Sequence, residues 1–299
     1  YPGADYIFYL PPDTPRNVRR FMAIVRPKIA VFVKYEFWVN YLLAMKRAGT
    51  KLYLISSIFR DGQIFFRPYG GLFRSALRAF RHIFVQNDSS RNLLKSIGIE
   101  QVSVAGDTRF DRVYEIAQQA KRLPEIERFA ADAPVFIAGS TWPPDEELLV
   151  GLIERYPDVK FIVAPHEIDP ARIEKFCERI SRPALRYTQL TPQSDLAAAG
   201  VLFVDTIGIL SSVYRYGRWG YIGGGFGAGI HNTLEAATFG LPLAFGPRYG
   251  KFREACDLVT RRGAASIASA EELERWFAGL HDDPDATRRS GTICKEYVL

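Results

Sequence analysis

Five glycines fall within the seven residues Gly223-Gly224-Gly225-Phe226-Gly227-Ala228-Gly229, directly after an apolar run at 219–222 and just before Ile230-His231-Asn232-Thr233-Leu234-Glu235. An apolar run that enters a glycine turn and leaves as a helix lets the backbone approach a ligand closely. The free N–H groups and the dipole at the helix start then attract an anion, typically a phosphate. Asn232 is the expected N-cap, Glu235 its capping-box partner three residues on, and Gly240 with Pro242 the stop. Gly223, Gly224, Gly225, Asn232 and Glu235 are therefore candidates to hold a nucleotide or sugar phosphate. Tight packing of helix on strand asks for the same glycines, and caps need no ligand, so the loop has a purely structural reading as well. A dinucleotide fold fits poorly. Its glycine fingerprint belongs to the first βα turn of a domain, whereas this loop follows at least three strands of the second half, and no suitably placed strand-end acid stands about 20 residues on.

Other residues able to do chemistry stand at the ends of further apolar runs. Glu36 follows 29–33, Arg60 follows 51–55, Asp107 and Arg109 follow 101–104, and a run at 82–85 lies between. Gly139-Ser140-Thr141 follow 135–138, His166 follows 160–163, and Asp205-Thr206 follow 201–204, with a last run at 241–245. Runs of four or five residues rich in Val, Ile, Phe and Tyr, about 15 to 30 residues apart with helical pattern between, are what buried parallel strands look like. The fold class that follows is α/β: two Rossmann-like domains in series with parallel sheets, and ligands beyond the carboxyl ends of the strands. Glu36, a charge just past a strand and beside Trp38, needs solvent or a partner. It is a candidate for catalysis or acceptor positioning, against an internal salt bridge with an Arg. Arg60 and Arg109 suit a phosphate or a sugar carboxylate. Ser140 and Thr141 suit ligand contact or a cap for a helix beginning near Pro143, His166 a ligand contact or a strand end, and Asp205-Thr206 a structural turn. His231 reads as loop packing, and His82 and His281 carry no motif.

The 299 residues are 47% hydrophobic and 24% charged, which excludes disorder and collagen and suggests two domains. Three widely spaced cysteines, Cys177, Cys256 and Cys294, indicate neither a disulfide framework nor a zinc site and favour a reducing compartment. No stretch approaches the roughly 18 to 20 apolar residues of a membrane span, and Tyr1-Pro2-Gly3-Ala4-Asp5 reads as no signal peptide. The chain is expected to be soluble or peripheral, with its natural N-terminus missing. Residues 1–115 carry 18 Lys and Arg against 9 Asp and Glu, a net of +9, leaving 21 against 24, or −3, for the rest. In the basic half Arg60, Arg67, Arg74 and Arg81 recur every seven residues, with Arg78 between the last two and Phe59, Phe65, Phe66, Tyr69, Phe73 and Phe80 interleaved. A helix over 72–82 would put Arg74, Arg78 and Arg81 on one side, a face suited to an anionic membrane surface. The competing reading is a solvated basic face with the aromatics in the core. Nucleic-acid binding lacks any recognised motif, and the glycine loop lies in the acidic half.

Eight motifs in order carry a resemblance. They are Tyr35-Glu36-Phe37-Trp38-Val39-Asn40, Gly106-Asp107-Thr108-Arg109-Phe110-Asp111, Ala138-Gly139-Ser140-Thr141, Pro165-His166, Asp205-Thr206-Ile207-Gly208, Gly223-Gly224-Gly225, His231-Asn232-x-x-Glu235 and Phe245-Gly246-Pro247. Over nearly all of its length the sequence resembles the 3-deoxy-D-manno-octulosonic acid (Kdo) transferases of lipid A biosynthesis, which are GT-B glycosyltransferases. The resemblance implies two Rossmann-like domains facing across a cleft. They would comprise an acceptor-side domain over 1–115, truncated at its start, a linker over 116–132, and a nucleotide-sugar-binding domain over 133–284. The helix at 285–299 would return to the first domain. It implies transfer of Kdo from CMP-Kdo to a lipid A precursor with inversion, no cofactor or metal, and a peripheral or N-terminally anchored place at the cytoplasmic face of the bacterial inner membrane.

Among the donor contacts that the resemblance implies, Gly223, Gly224, Gly225 and the Asn232 helix start hold the CMP phosphate, and Glu235 accepts from ribose hydroxyls. Ile207 and Gly208 offer backbone groups to cytosine, and Ser140 and His166 line the donor side. The family's Arg beside the Pro-His pair is absent. Its base, an acid in an N-terminal Gly-rich segment, has no counterpart, so the chain is expected to lack its main base and to show little turnover alone. Other GT-B enzymes, a UDP-sugar transferase or a sugar-nucleotide epimerase, are the alternatives.

Overall fold

Each apolar run is followed by a segment long enough to cross back over a sheet, so the runs pair in parallel. The computed structural model describes residues 3–299; Tyr1 and Pro2 of the opening pentapeptide lie outside the described residues. The chain divides into two units, one ending at Arg109 and the other beginning at Phe110.

The first unit comprises α1 (Pro15–Val25), β1 (Ile29–Val33), α2 (Val39–Arg47), β2 (Lys51–Ser57), α3 (Gly71–Leu77), β3 (His82–Val85), α4 (Asp88–Ser96) and β4 (Val102–Val104). Its strands form a parallel sheet in the order β1-β2-β3-β4. Thr14 caps α1 by accepting from the Asn17 N–H, and Asn87 caps α4 by accepting from that of Ser90. Alternate strand residues Leu52, Leu54, Ile83 and Val85 bury themselves with Tyr41, Leu42, Leu77 and Leu94. On β1, Ile29, Val31 and Val33 are 58%, 55% and 46% exposed, so the strand also shows apolar side chains to solvent.

The expected helix over 72–82 stops at Leu77, where the chain turns so that the Arg81 N–H reaches the Leu52 carbonyl and β3 can begin. Of the arginine row, Arg60, Arg67, Arg78 and Arg81 are exposed and Arg74 is half buried. The Arg74 guanidinium donates to the carbonyls of Phe65 (3.1 Å), Arg67 (2.8 Å) and Pro68 (3.3 Å), and Arg78 donates to the carbonyl of Ile97. Phe59, Phe65 and Phe80 are buried and Phe66 and Phe73 pack against the same cluster, so five of the six interleaved aromatics belong to the core. Pro68 and Gly70 break the helical path and leave carbonyls that a planar, five-donor guanidinium can gather.

In the second unit α5 (Thr108–Gln118) starts at the boundary. Then follow α6 (Pro124–Ala130), β5 (Val135–Thr141), α7 (Pro143–Arg155), β6 (Lys160–Pro165), α8 (Pro170–Cys177), β7 (Ala184–Arg186), β8 (Val201–Phe203) and α9 (Leu210–Val213). β9 (Trp219–Ile222), α10 (Leu234–Thr238), β10 (Leu243–Phe245), α11 (Arg253–Thr260), β11 (Ala264–Ser266), α12 (Ala270–His281) and α13 (Pro284–Val298) complete it. The sheet runs β11-β10-β9-β5-β6-β8-β7, all parallel. Period-two alternation sends Val135, Ile137, Ile162, Leu202 and Leu243 into one core and Phe136, Phe161, Val163, Phe203 and Trp219 into the other, so both faces are covered.

Two expected boundaries move. The stretch 116–132, read as a linker, holds α6, whose Ile126 and Phe129 are fully buried in the second unit's core. Residues 285–299, expected to return to the first domain, form α13 in the second unit: Cys294 and Val298 join that core, and Gly291 packs so tightly on the Gly240 carbonyl that a Cβ would collide with it. Among the described residues no helix is long and apolar enough to cross a membrane.

The three carbonyl bonds of Arg74 make a sharp expectation. Arg74→Ala should cost about 2 kcal/mol of stability, whereas Arg81→Ala should stay within about 0.5 kcal/mol. Chemical denaturation of the two variants checks this; equal effects would contradict it.

Candidate functional site

β5 and β9 are neighbours, but β6 lies on the far side of β5 and β10 on the far side of β9. The winding direction therefore reverses between them. At such a switch point the loops leaving the carboxyl ends diverge and open a crevice, which is where ligands bind in open α/β sheets. The loops are Ser140-Thr141-Trp142 after β5 and Gly223 to Gly229 after β9.

Close backbone contact explains two of the glycines. A Cβ on Gly223 would run into the Ser140 carbonyl, and one on Gly225 would stand 2.5 Å from the Gly246 Cα. Gly224 has φ +94°, where side chains are strained. The Gly223 N–H donates to the Gly139 carbonyl at 2.9 Å, and the Gly224 N–H donates to the Asp145 carboxylate at 2.9 Å. These two amides are thus committed internally, and the glycines bring the loop against β5 and the Gly246 turn.

Asp145 is fully buried near the start of α7, and sequence reasoning missed it. Its Oδ1 accepts from the Tyr221 hydroxyl at 2.7 Å, and its Oδ2 from the Gly224 N–H and the Trp142 N–H, both at 2.9 Å. Burial, with Asp145 alongside, pushes the Tyr221 hydroxyl well above its ordinary range. The only sequence signal was an acid three residues after Trp142 at the head of a Pro-Pro helix. Glu146 beside it is buried, accepts from Thr141 Oγ1 at 3.0 Å and lies 3.5 Å from Arg172 Nη2. Burial raises its pKa, against the pull of Arg172 and Thr141.

Trp142, His166 and His231 stack. The His166 and His231 ring centroids are 4.1 Å apart, those of Trp142 and His166 4.9 Å, and those of Trp142 and His231 6.5 Å with planes only 8° apart. Trp142 Nε1 donates to His231 Nε2 at 3.0 Å, which needs that nitrogen unprotonated. Burial, with His166 alongside, holds the His231 pKa below the usual imidazole range. His166 is solvent-exposed, and its N–H donates to the Thr141 carbonyl. Ser140 has φ +54° in the same turn.

The expected capping by Asn232 shifts. The N-cap of α10 is Thr233, and the helix is only five residues long. Asn232 Oδ1 accepts from the Leu234 N–H at 3.1 Å, while its Nδ2 donates to Glu235 Oε1 at 2.9 Å. Glu235 therefore takes the Asn232 side chain in place of the backbone donor a capping box would use. Asp205 is structural. Burial opposes its charge, but the Thr188 hydroxyl and N–H and the Arg186 guanidinium outweigh that and lower its pKa. The turn that it anchors presents Ile207, 89% exposed, and Gly208 at φ +91°, beyond β8 and two strands from β5.

The remaining candidates lie in the first unit. Glu36 is exposed and accepts from the Trp38 indole, so solvent and an indole, with no arginine, satisfy it. Arg109 Nε donates to Asp107 at 2.8 Å, a carboxylate that also accepts from Ser56 Oγ, so the Arg109 charge is partly answered within the unit. Arg60 is exposed. The structure thus gathers Ser140, His166, the glycines and His231 at one switch point, with Asn232 and Glu235 next in the chain. It puts Ile207 and Gly208 two strands away, and Glu36, Arg60 and Arg109 in the other unit. Among the described residues no group of three or more His, Cys, Asp or Glu is placed to hold a metal.

The depressed His231 pKa has a signed consequence. The unfolded chain takes up a proton more readily there, so this stability is present above the ordinary imidazole pKa and is lost as pH falls through the folded value. His281, which Asp282 and Asp158 raise, works in the opposite sense, losing stability as pH rises. Melting temperatures of the wild type and of His231→Gln, compared between pH 7 and 5, should show the wild type falling more steeply. Parallel curves would contradict the assignment.

Residues 1–112 match the family described as 3-deoxy-D-manno-octulosonic-acid transferase (kdotransferase). A bifunctional glycosyltransferase/methyltransferase of Fusobacterium nucleatum is 22% identical over 98% of the chain and 47% of its own length. A 3-deoxy-D-manno-octulosonic acid transferase of Aquifex aeolicus is 25% identical over 87% of the chain and 67% of its own length. The chain thus spans about half to two thirds of these relatives. Among solved structures, the C-terminal CMP-Kdo binding domain of WaaA from Acinetobacter baumannii aligns at TM-score 0.52 and 20% identity, covering 63% of this chain and 99% of that one. UDP-GlcNAc 2-epimerase from Neisseria meningitidis, bound to UDP-GlcNAc, aligns at TM-score 0.68 and 16% identity over 98% of this chain and 81% of that one. The fold is therefore the α/β fold of the GT-B enzymes. The match to the Kdo transferase family lies in residues 1–112, and the chain as a whole is similar to its members at about a quarter identity.

Proposed function

We propose, proceeding from that kinship, that the chain takes part in transferring Kdo from CMP-Kdo to a lipid A precursor, with inversion at the anomeric carbon. The observation that carries this reading is the β5/β9 switch point in a chain whose residues 1–112 match the Kdo transferase family. Two loops diverge there around a half-buried aromatic stack with carboxylates at hand, the type of crevice that takes a nucleotide.

In this reading the second unit binds the donor. The loop beyond Gly225 and the turn into α10 face the phosphate, and Glu235 accepts from ribose hydroxyls through the carboxylate oxygen that Asn232 leaves available. The exposed Ile207 covers the base while the Gly208 turn offers backbone groups to its edge, and Ser140 and His166 line the sugar side. The first unit serves the acceptor. Arg60 attracts phosphate or carboxylate charge, and Arg109 adds to it within its pair with Asp107. Glu36, exposed and oriented by the Trp38 indole, is this unit's candidate for positioning the acceptor or assisting catalysis, the main base being expected outside the chain. The lipid acceptor would put the reaction at a membrane surface, the cytoplasmic face of the inner membrane. With Arg74 half buried among carbonyls, the exposed Arg67, Arg78, Arg81, Tyr69 and Leu72 are what that stretch offers to anionic headgroups.

The likeness to a UDP-GlcNAc 2-epimerase at TM-score 0.68 favours one other reading, a UDP-sugar enzyme on the same fold. Isothermal titration separates the two. CMP should bind at least tenfold more tightly than UDP, and Glu235→Gln should weaken CMP about tenfold, the worth of one hydrogen bond to a charged group. Preference for UDP would overturn the donor assignment.

A further inference from the structure

We infer that Asp145 is the positioning residue of the switch-point site: its buried carboxylate locks the glycine loop after β9 and the turn after β5 into one geometry and, through Trp142, sets the His231 ring. The inference rests on the donor-site reading above. Asp145 is fully buried, so it reaches no ligand and acts only through its neighbours.

Four hydrogen bonds close a circuit between the two loops. Asp145 Oδ2 accepts from the Trp142 N–H, Trp142 Nε1 donates to His231 Nε2, the His231 N–H donates to the Gly223 carbonyl at 3.1 Å, and the Gly224 N–H returns to Asp145 Oδ2. Tyr221, from the strand between the cores, fills Oδ1. All three donors to the carboxylate are neutral and come from two loops and a strand. Sliding either loop would strip a donor from a buried charge, which is far costlier than losing an exposed bond. The circuit also holds Gly224 at positive φ and keeps the Trp142 indole coplanar with His231, within 8°. A carboxylate that merely began α7 would need the Trp142 N–H alone. Reaching across to Gly224 ties that turn to the other loop.

The test uses the whole chain and reads geometry and binding separately. In Asp145→Asn, NMR should show the Gly224 and Trp142 backbone amide protons moving upfield as the charged acceptor is lost. The Trp142 indole N–H and the His231 ring signals should move as well, although neither contacts Asp145. Titration with CMP should then show at least a tenfold loss of affinity. Ile153→Val, a core truncation in the same helix, controls for lost stability and should change neither. Unmoved indole and imidazole signals would overturn the inference, as would moved signals with CMP affinity within threefold of wild type. If Asp145→Asn does not fold, Tyr221→Phe removes one of the three donors instead, and the Gly224 amide and Trp142 indole must then shift together; if they stay put, the inference is wrong. If the wild type binds no CMP, the donor reading fails, and the positioning role is judged by the NMR shifts alone.

Discussion

A carboxylate buried without a cation persists only where enough hydrogen-bond donors converge on it, and Asp145 meets that condition with two backbone amides and one hydroxyl. The rest of the second unit can be traced from that constraint. The Gly224 amide reaches the carboxylate because Gly223 and Gly225 let the loop lie against Ser140 and Gly246. The Trp142 amide reaches it because the Pro-Pro start of α7 turns the chain straight after β5. The sheet supplies the occasion by reversing its winding between β5 and β9, which sets the two loops side by side. That the two loops lie side by side is a consequence of topology, and the buried Asp145 carboxylate ties them together.

The first unit is organised by a different device. The Arg74 guanidinium is held on carbonyls left over where the chain cannot continue as helix. Arg74 gathers three of them around the Pro68 and Gly70 turn. Asp107 and Ser56 tie the end of β2 to the turn after β4, and Arg109 joins that tie. Within the net +9 of residues 1–115, Arg74 is half buried and Arg109 faces Asp107, whereas Arg60, Arg67, Arg78 and Arg81 stay exposed.

Much of this is legible in the amino-acid sequence. The runs at 29–33, 82–85 and 219–222 are β1, β3 and β9 without change, because β-branched and aromatic residues fill them and both neighbours break the pattern. β7 and β11 escaped notice because each is three residues long, and Ala184-Leu185-Arg186 and Ala264-Ala265-Ser266 have no strand signature. The placement of candidates at strand ends was also legible, since a parallel sheet dictates it. What spacing cannot show is burial. By spacing alone Asp145 is one more acid in a helix's first turn, and the alternation of Arg and Phe in 59–81 fits a basic membrane face as well as a solvated face over a core. The expected linker failed for the same reason: 116–132 is charged, yet Ile126 and Phe129 are the residues that fix its place.

The proposed nucleotide site lies at the β5/β9 switch point of the second unit. Backbone amide shifts of the labelled chain, followed during titration with CMP, test it most directly. Perturbations should cluster at 139–142, 166 and 223–235, with a smaller group at 207–208. Saturable perturbations confined to the first unit, or none at millimolar CMP, would contradict it.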